Sequence, residues 1–257
     1  MNLTEKLTAE KMAVALKSAE ALMRMHKAGA LGGETMPEDA NPGLPKDADE
    51  NYLFFTLPMA LNYQRDAYRL WESANKTYAD DETADVFYPN AVVRMGNEDL
   101  REKLLRHKVA MQPNRHPETW MRLCHTFLDF NGSVKEFLGT NDYSIEKIKA
   151  YMIANKKAFP YLSGAKIMNY WLYIIEQYTD AVFTGRDNIT VGPDTHIIKA
   201  SAKLGLIEPG DMDKSDIRET VADLWKAVFS GTQWDPIDIH TPLWLWSRSG
   251  FAAELDK

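Results

Sequence analysis

The sequence predicts an all-α protein. Apolar residues recur at three- and four-residue spacing along most of the chain. No run of period-two alternation is bounded by hairpin turns, and several helical stretches open on good capping residues. With 257 residues, 45% of them apolar and 26% charged, the composition is that of an ordinary globular protein. A chain of this length buries roughly three quarters of its unfolded surface without needing a disulfide or a structural metal.

In chain order, residues 1–31 read as an N-terminal amphipathic helix whose apolar positions include Met12, Leu16, Ala19, Leu22 and Met23. The first seventeen residues lack the apolar core of a signal peptide, and no stretch reaches the roughly 18 apolar residues of a membrane span. The expectation is therefore a soluble, intracellular, cytoplasmic monomer with no membrane partner. Residues 32–50 are acidic and rich in Pro and Gly, which predicts an irregular loop. A helical region follows over 51–143, beginning with a helix at 51–74 that carries Phe54, Leu57, Leu61, Tyr68 and Trp71. Further helices are expected at 97–111, 116–129, 144–155, 164–178, 194–204, 214–229 and 241–253, for nine to eleven in all. Residues 144–257 form the last region, with a hairpin at 160–166.

The single cysteine, Cys124, excludes a disulfide framework and a thiolate-held cluster. Its neighbour His125 cannot face it along a helix, so Cys124 reads as a small core residue. The six histidines have no paired-ligand spacing, and neither GxGxxG nor a Walker-type loop occurs. No metal and no nucleotide cofactor are expected. A net charge of −7 argues against a generic basic nucleic-acid binder. Between Lys147 and Lys203, however, eight Lys and Arg face four Asp and Glu, a local excess of four positive charges.

Two elements in that basic region carry chemistry. At Pro160-Tyr161-Leu162-Ser163-Gly164 a tight turn leads directly into a new helix, whose first amides lack intrahelical acceptors and suit a phosphate. Lys166, one turn in, adds a cation. Ser163 as an ordinary helix cap is the plainer account of the same residues. Further on, Val191-Gly192-Pro193-Asp194 precedes a helix, with Asp194 at its N-cap. That carboxylate can cap amides, and it can also stabilise a developing sugar cation or activate water; one residue can do both.

With these elements in this order the sequence resembles the helix-hairpin-helix DNA glycosylase superfamily, and within it the archaeal 8-oxoguanine glycosylase family. The likeness rests on Leu162-Ser163-Gly164-x-Lys166, Val191-x-x-Asp194, Ala202 with Gly205-Leu206-Ile207, and Pro236-Ile237-x-x-x-Thr241-x-Leu243-Trp244-Leu245. It covers about residues 145–253. It implies two helical subdomains flanking a cleft, with 51–143 contributing to the base pocket. It also implies Asp194 as the essential carboxylate and backbone binding by Leu162, Ser163, Gly164, Ala165 and Lys166, with His196 alongside. The implied pocket is lined by Trp244. Further candidates from the residues themselves are His240, Asp238, Tyr170, Trp171, Tyr63 and Gln64. Most aromatics at helical spacing are core, and the string from Asn62 to Asp66 reads equally as the solvent face of its helix. Trp244 and Trp246, two apart, are not expected to both point inward.

Two departures bear on activity. A gapless alignment puts Asn169 where bifunctional members carry the lysine that attacks the sugar, whereas a three-residue gap puts Lys166 there. His240 stands where the family has an acidic residue. With Asn169 in place the chemistry would be monofunctional and leave an abasic site. The departures also point away from plain 8-oxoguanine toward a modified base, such as a glucosylated hydroxymethylcytosine in phage DNA, which would make this a defence enzyme rather than a repair enzyme. Two other readings stand beside it: an N-glycosidase of a free modified nucleoside, as in queuosine salvage, and a non-catalytic module that binds modified DNA.

Overall fold

A computed structural model describes residues 8–31 and 35–255. Met1–Leu7 of the expected first helix, Gly32–Glu34 of the expected loop and the last two residues lie outside the described residues. Among the described residues there are twelve α-helices, several one-turn 3-10 segments and no strand; one isolated bridge pairs Ser144 with Thr184. The all-α expectation holds. No helix among the described residues is long and apolar enough to cross a membrane.

The chain divides into two compact units. One is built from both ends, residues 1–35 and 186–257, and the other from residues 36–185. The hairpin and Asp194, which the sequence pattern groups in one region, therefore belong to different units.

The terminal unit holds α1 (Ala9–Lys27), α10 (Thr195–Lys203), α11 (Ile217–Phe229) and α12 (His240–Arg248). The amphipathic α1 starts at Thr8, whose hydroxyl accepts from the Lys11 amide, and buries Ala15, Ala19, Leu22 and Met23. In the core of this unit Trp225 donates to the Ser201 hydroxyl at 2.9 Å and stacks on Phe229.

The central unit runs α2 (Asp49–Ala60), α3 (Ala67–Ala79), α4 (Pro89–Val92), α5 (Asn97–Arg106), α6 (Arg115–Leu128), α7 (Val134–Thr140), α8 (Ile145–Ala154) and α9 (Ala165–Tyr178). Every residue of α2 from Asn51 to Ala60 is buried, so beyond its first two residues this helix has no solvent face. Phe54 stacks on Phe87, Phe55 stacks on Tyr178, and the Trp171 indole donates to the Thr56 hydroxyl at 3.0 Å.

Three expectations need correction. The helix expected at 51–74 is two helices, because the segment 62–66 leaves the helical path: Gln64 takes φ +47° and Asp66 caps α3 by accepting from the Arg69 amide at 3.0 Å. The polar string is thus a connection rather than a helix face. Helices α4 and α7 are too short for periodicity to reveal, which raises the count above eleven. Finally, the described part of the loop expected at 32–50 is not wholly irregular, since it holds a 3-10 turn at Pro37–Asp39 and α2 begins within it at Asp49. Glu38, in a 3-10 turn at Pro37–Asp39, is only 1% exposed. One of its oxygens accepts from the Tyr170 hydroxyl at 2.5 Å, while the other is buried with no hydrogen-bond partner.

Burial pushes the Glu38 carboxyl up to about 7. The folded state therefore favours the protonated acid. The stability this provides is complete below the ordinary carboxyl range near 4.5 and is lost as pH rises through about 7. Between pH 5 and pH 8 the wild-type unfolding free energy should fall more than that of Glu38→Gln, by on the order of 3 kcal/mol. Urea unfolding of both proteins at the two pH values checks this; parallel pH dependence would refute it.

Candidate functional site

In the terminal unit, residues Val191, Gly192 and Pro193 are buried on the approach to α10. The Gly192 amide donates to Nδ1 of His240 at 3.2 Å, which fixes this strand of chain against the start of α12. Asp194 then takes an extended conformation, φ −98° and ψ −172°, at the N-cap. Its Oδ1 accepts from the amides of His196 at 2.8 Å and Ile197 at 3.0 Å, so the capping role is real. Its Oδ2 accepts from the Trp244 indole at 3.2 Å. Two helices thereby fix one carboxylate, and the positive end of α10 favours its charge.

Trp244 is held in turn. The His196 ring meets it edge-on with centroids 5.4 Å apart, and the Arg248 guanidinium lies 5.2 Å from its ring centre. The His196 imidazole also reaches the Ser247 hydroxyl at 3.3 Å. Trp244 and Trp246 do face different surroundings, but both are buried. Trp246 donates to the Ala253 carbonyl and packs edge-on against Phe251, so the residues after α12 cover it.

In the central unit, α8 ends at Ala154, one residue short of the expected end, and residues 155–164 make the turn. Phe159 and Leu162 are fully buried and anchor it. The Leu162, Ser163 and Gly164 amides donate to the carbonyls of Pro160, Phe159 and Tyr161, which closes the turn on itself. Those amides are thus not the phosphate donors the motif implied. In the first turn of α9 the Met168 amide donates back to the Gly164 carbonyl at 2.8 Å. Ser163 does not cap α9; the N-cap is Gly164, with no side-chain cap. Glycine suits this corner because a Cβ would stand 3.1 Å from the Tyr161 carbonyl oxygen. Tyr161 itself takes φ +64°, its hydroxyl donates to the Asn62 carbonyl, and its ring meets Tyr63 edge-on at 5.7 Å. Arg115 lies over the other ring of that pair, 5.6 Å from the centre of Tyr63.

The two candidates for the sugar-attacking position differ in setting. Lys166 is exposed on the first turn of α9, whereas Asn169 is buried. The Asn169 amide donates to the Ala165 carbonyl at 2.8 Å, and its oxygen accepts from the Lys149 ammonium at 2.7 Å. Lys149, from α8, is a residue that sequence reasoning passed over; only its place in the basic stretch marked it.

Several expected pocket residues have other settings. Trp171 is fully buried in the core of the central unit and cannot stack on a base. The Tyr170 hydroxyl donates to Glu38. Asp238 is ion-paired with Arg186 at 2.7 Å and accepts from the Asp235 amide, while His240 is buried against Gly192. Gln64 is exposed beside Tyr63. Among the described residues no three His, Cys, Asp or Glu side chains gather to hold a metal ion.

No family model and no curated protein matches this chain. The geometry stands alone. It assembles a doubly used carboxylate, an indole, an imidazole and a guanidinium at the junction of α10 and α12. Asp194→Ala should lower the unfolding free energy by about 1–2 kcal/mol, whereas Asp194→Asn, which still caps, should cost less. Chemical denaturation of the two variants measures the difference, and equal losses would contradict the capping geometry.

Proposed function

We propose that the protein is a DNA N-glycosylase that removes a modified base from a duplex after the nucleotide has flipped out of the stack. One observation supports this most: the Asp194 carboxylate, fixed by three donors beside Trp244 and His196. Its Oδ2 has a single donor and keeps capacity for a water molecule or a sugar cation. In the proposed reaction the N-glycosidic bond breaks with its electrons leaving on the base. Asp194 stabilises the oxocarbenium-like sugar, water adds at C1′, and the water proton passes to the departing base or to solvent. Trp244, beside Asp194 in the same unit, is the aromatic surface on offer for stacking, and in the central unit Lys166 is an exposed cation suited to the DNA backbone. Asn169, an amide rather than an amine, supports a monofunctional reaction that leaves an abasic site. Modified phage bases such as glucosylated hydroxymethylcytosine are the substrates that the departures from the 8-oxoguanine pattern favour.

A second reading has its own support. The net charge of −7 suits a free modified nucleoside better than a duplex.

A panel of duplexes carrying 8-oxoguanine, uracil or natural phage-modified bases separates these readings, assayed with and without alkali. The expected result is strand breakage only after alkali, reduced at least 100-fold in Asp194→Asn on the scale of one lost catalytic group. Breaks without alkali that are trapped by borohydride would replace this with an amine mechanism, through Lys166 or Lys149. Inactivity on every duplex, with release of base from a free nucleoside, would establish the second reading.

A further inference from the structure

In the central unit a cavity of about 600 Å³ opens between the start of α3 and the residues that follow α5. Five Lys and Arg side chains line it, Arg65, Arg69, Lys76, Arg106 and Lys108, together with His107. Two of the five are already answered. Lys76 pairs with Glu72 at 2.6 Å, Arg106 pairs with Glu82 and with Asp80, and His107 pairs with Asp80 at 2.7 Å. Arg65, Arg69 and Lys108 have no ion pair among the described residues. Asp66 opposes them and accepts the Arg69 backbone amide as the cap of α3. Five Lys and Arg against Asp66, Glu72 and the two carboxylates that Arg106 meets, Asp80 and Glu82, leave an excess of one positive charge at the cavity.

Arg65 is the fixed part of this arrangement. Its guanidinium donates to the carbonyls of Lys108 at 2.9 Å, Val109 at 2.8 Å and Arg69 at 3.4 Å, and to the Ser73 hydroxyl at 3.5 Å. All four acceptors are neutral, and the charge, partly withdrawn from water, is met by the neighbouring Asp66 carboxylate without a direct ion pair. The same bonds accompany Lys108 at φ +62°, a conformation uncommon for a residue other than glycine, and its exposed side chain, like that of Arg69, belongs to the cavity lining. The positive field extends further along the chain. Burial, followed by the charges of Arg65 and Arg115, pushes the neighbouring His116 imidazole down to about 4.

We propose that this cavity is a phosphate-binding site, in which Arg69 and Lys108 contact the phosphoryl oxygens and Arg65 supplies the fixed charge behind them. Arg presents a fork matched to phosphate, and a cavity with an excess of positive charge suits a phosphate oxyanion. The site stands independently of the glycosylase reading, because every residue in it belongs to the unit that lacks Asp194. Its phosphate has two sources, a small phosphorylated molecule or a nucleic-acid strand.

The test is an amide NMR titration of the labelled full chain with inorganic phosphate, with a nucleoside monophosphate, and with a short single-stranded oligonucleotide lacking a terminal phosphate. Saturable shifts are expected at Arg69, Ser73, Lys108 and Val109. Arg69→Gln/Lys108→Gln, two exposed positions, should weaken binding about tenfold or more, whereas Asp66→Asn, which keeps the cap, should tighten it. Stronger shifts with the oligonucleotide identify a strand as the source, and stronger shifts with the monophosphate identify a small ligand. Unmoved amides with all three probes, or a double variant that binds like wild type, would overturn the proposal. A protein that releases no base in any glycosylase assay can still pass this test.

Discussion

A helix without a solvent face must be covered on every side, and in the central unit that helix is α2. Its buried polar atoms need partners as well as its apolar ones need cover. Asn51 donates to the Tyr178 carbonyl, Tyr52 to Asp180, and Thr56 both donates to the Tyr52 carbonyl and accepts from Trp171. Most of these bonds run to α9 and the residues just after it. The helix that carries Lys166 and Asn169 is therefore registered against the core by α2, and the turn before it is anchored by Phe159 and Leu162. The rigidity of the hairpin is inherited from this core.

In the terminal unit one side chain joins structure and chemistry. Asp194 closes the start of α10 with one oxygen and receives Trp244 from α12 with the other. A carboxylate that satisfies helix amides cannot rotate away without breaking them. Capping thereby provides the preorganisation that a catalytic carboxylate requires, with its charge already favoured by the helix end. Trp244 and His196 then limit how water and ligand approach the remaining lone pairs. The two accounts of Asp194, as cap and as reactive group, thus describe the same bonds.

Long amphipathic helices were legible in the sequence because their apolar spacing and caps are local signals: Thr8, Ser144 and Asp194 each accept amides as their positions imply. The break at residues 61–66 was not legible, because apolar spacing continues across it and what bends the chain is Arg65 reaching the carbonyls of Lys108 and Val109, more than forty residues away. Helices α4 and α7 are shorter than the window that periodicity needs. At the candidate site, Asp194 was visible from its Pro-Asp setting. The Lys149–Asn169 bond, which spans α8 and α9, carries no sequence signal beyond a basic stretch. Trp171 was misread for the opposite reason: a core aromatic and a pocket aromatic follow the same helical spacing, and only burial separates them.

Net charge illustrates the same distinction between a sum and an arrangement. The acidic cluster after α3 is paired with the protein's own side chains: Asp80 with His107 and Arg106, Glu82 with Arg106, and Asp85 with Lys103. Asp180 answers Lys135, and Asp235 and Asp238 share Arg186. Carboxylates held in such pairs project little field into solvent, since each is cancelled within a few ångströms and the remainder is screened. The cations of the cavity without such pairs, Arg65, Arg69 and Lys108, keep more of their local potential. An acidic chain can therefore present a surface that attracts anions, and the value of −7 describes solubility and long-range repulsion better than it describes what either unit can bind.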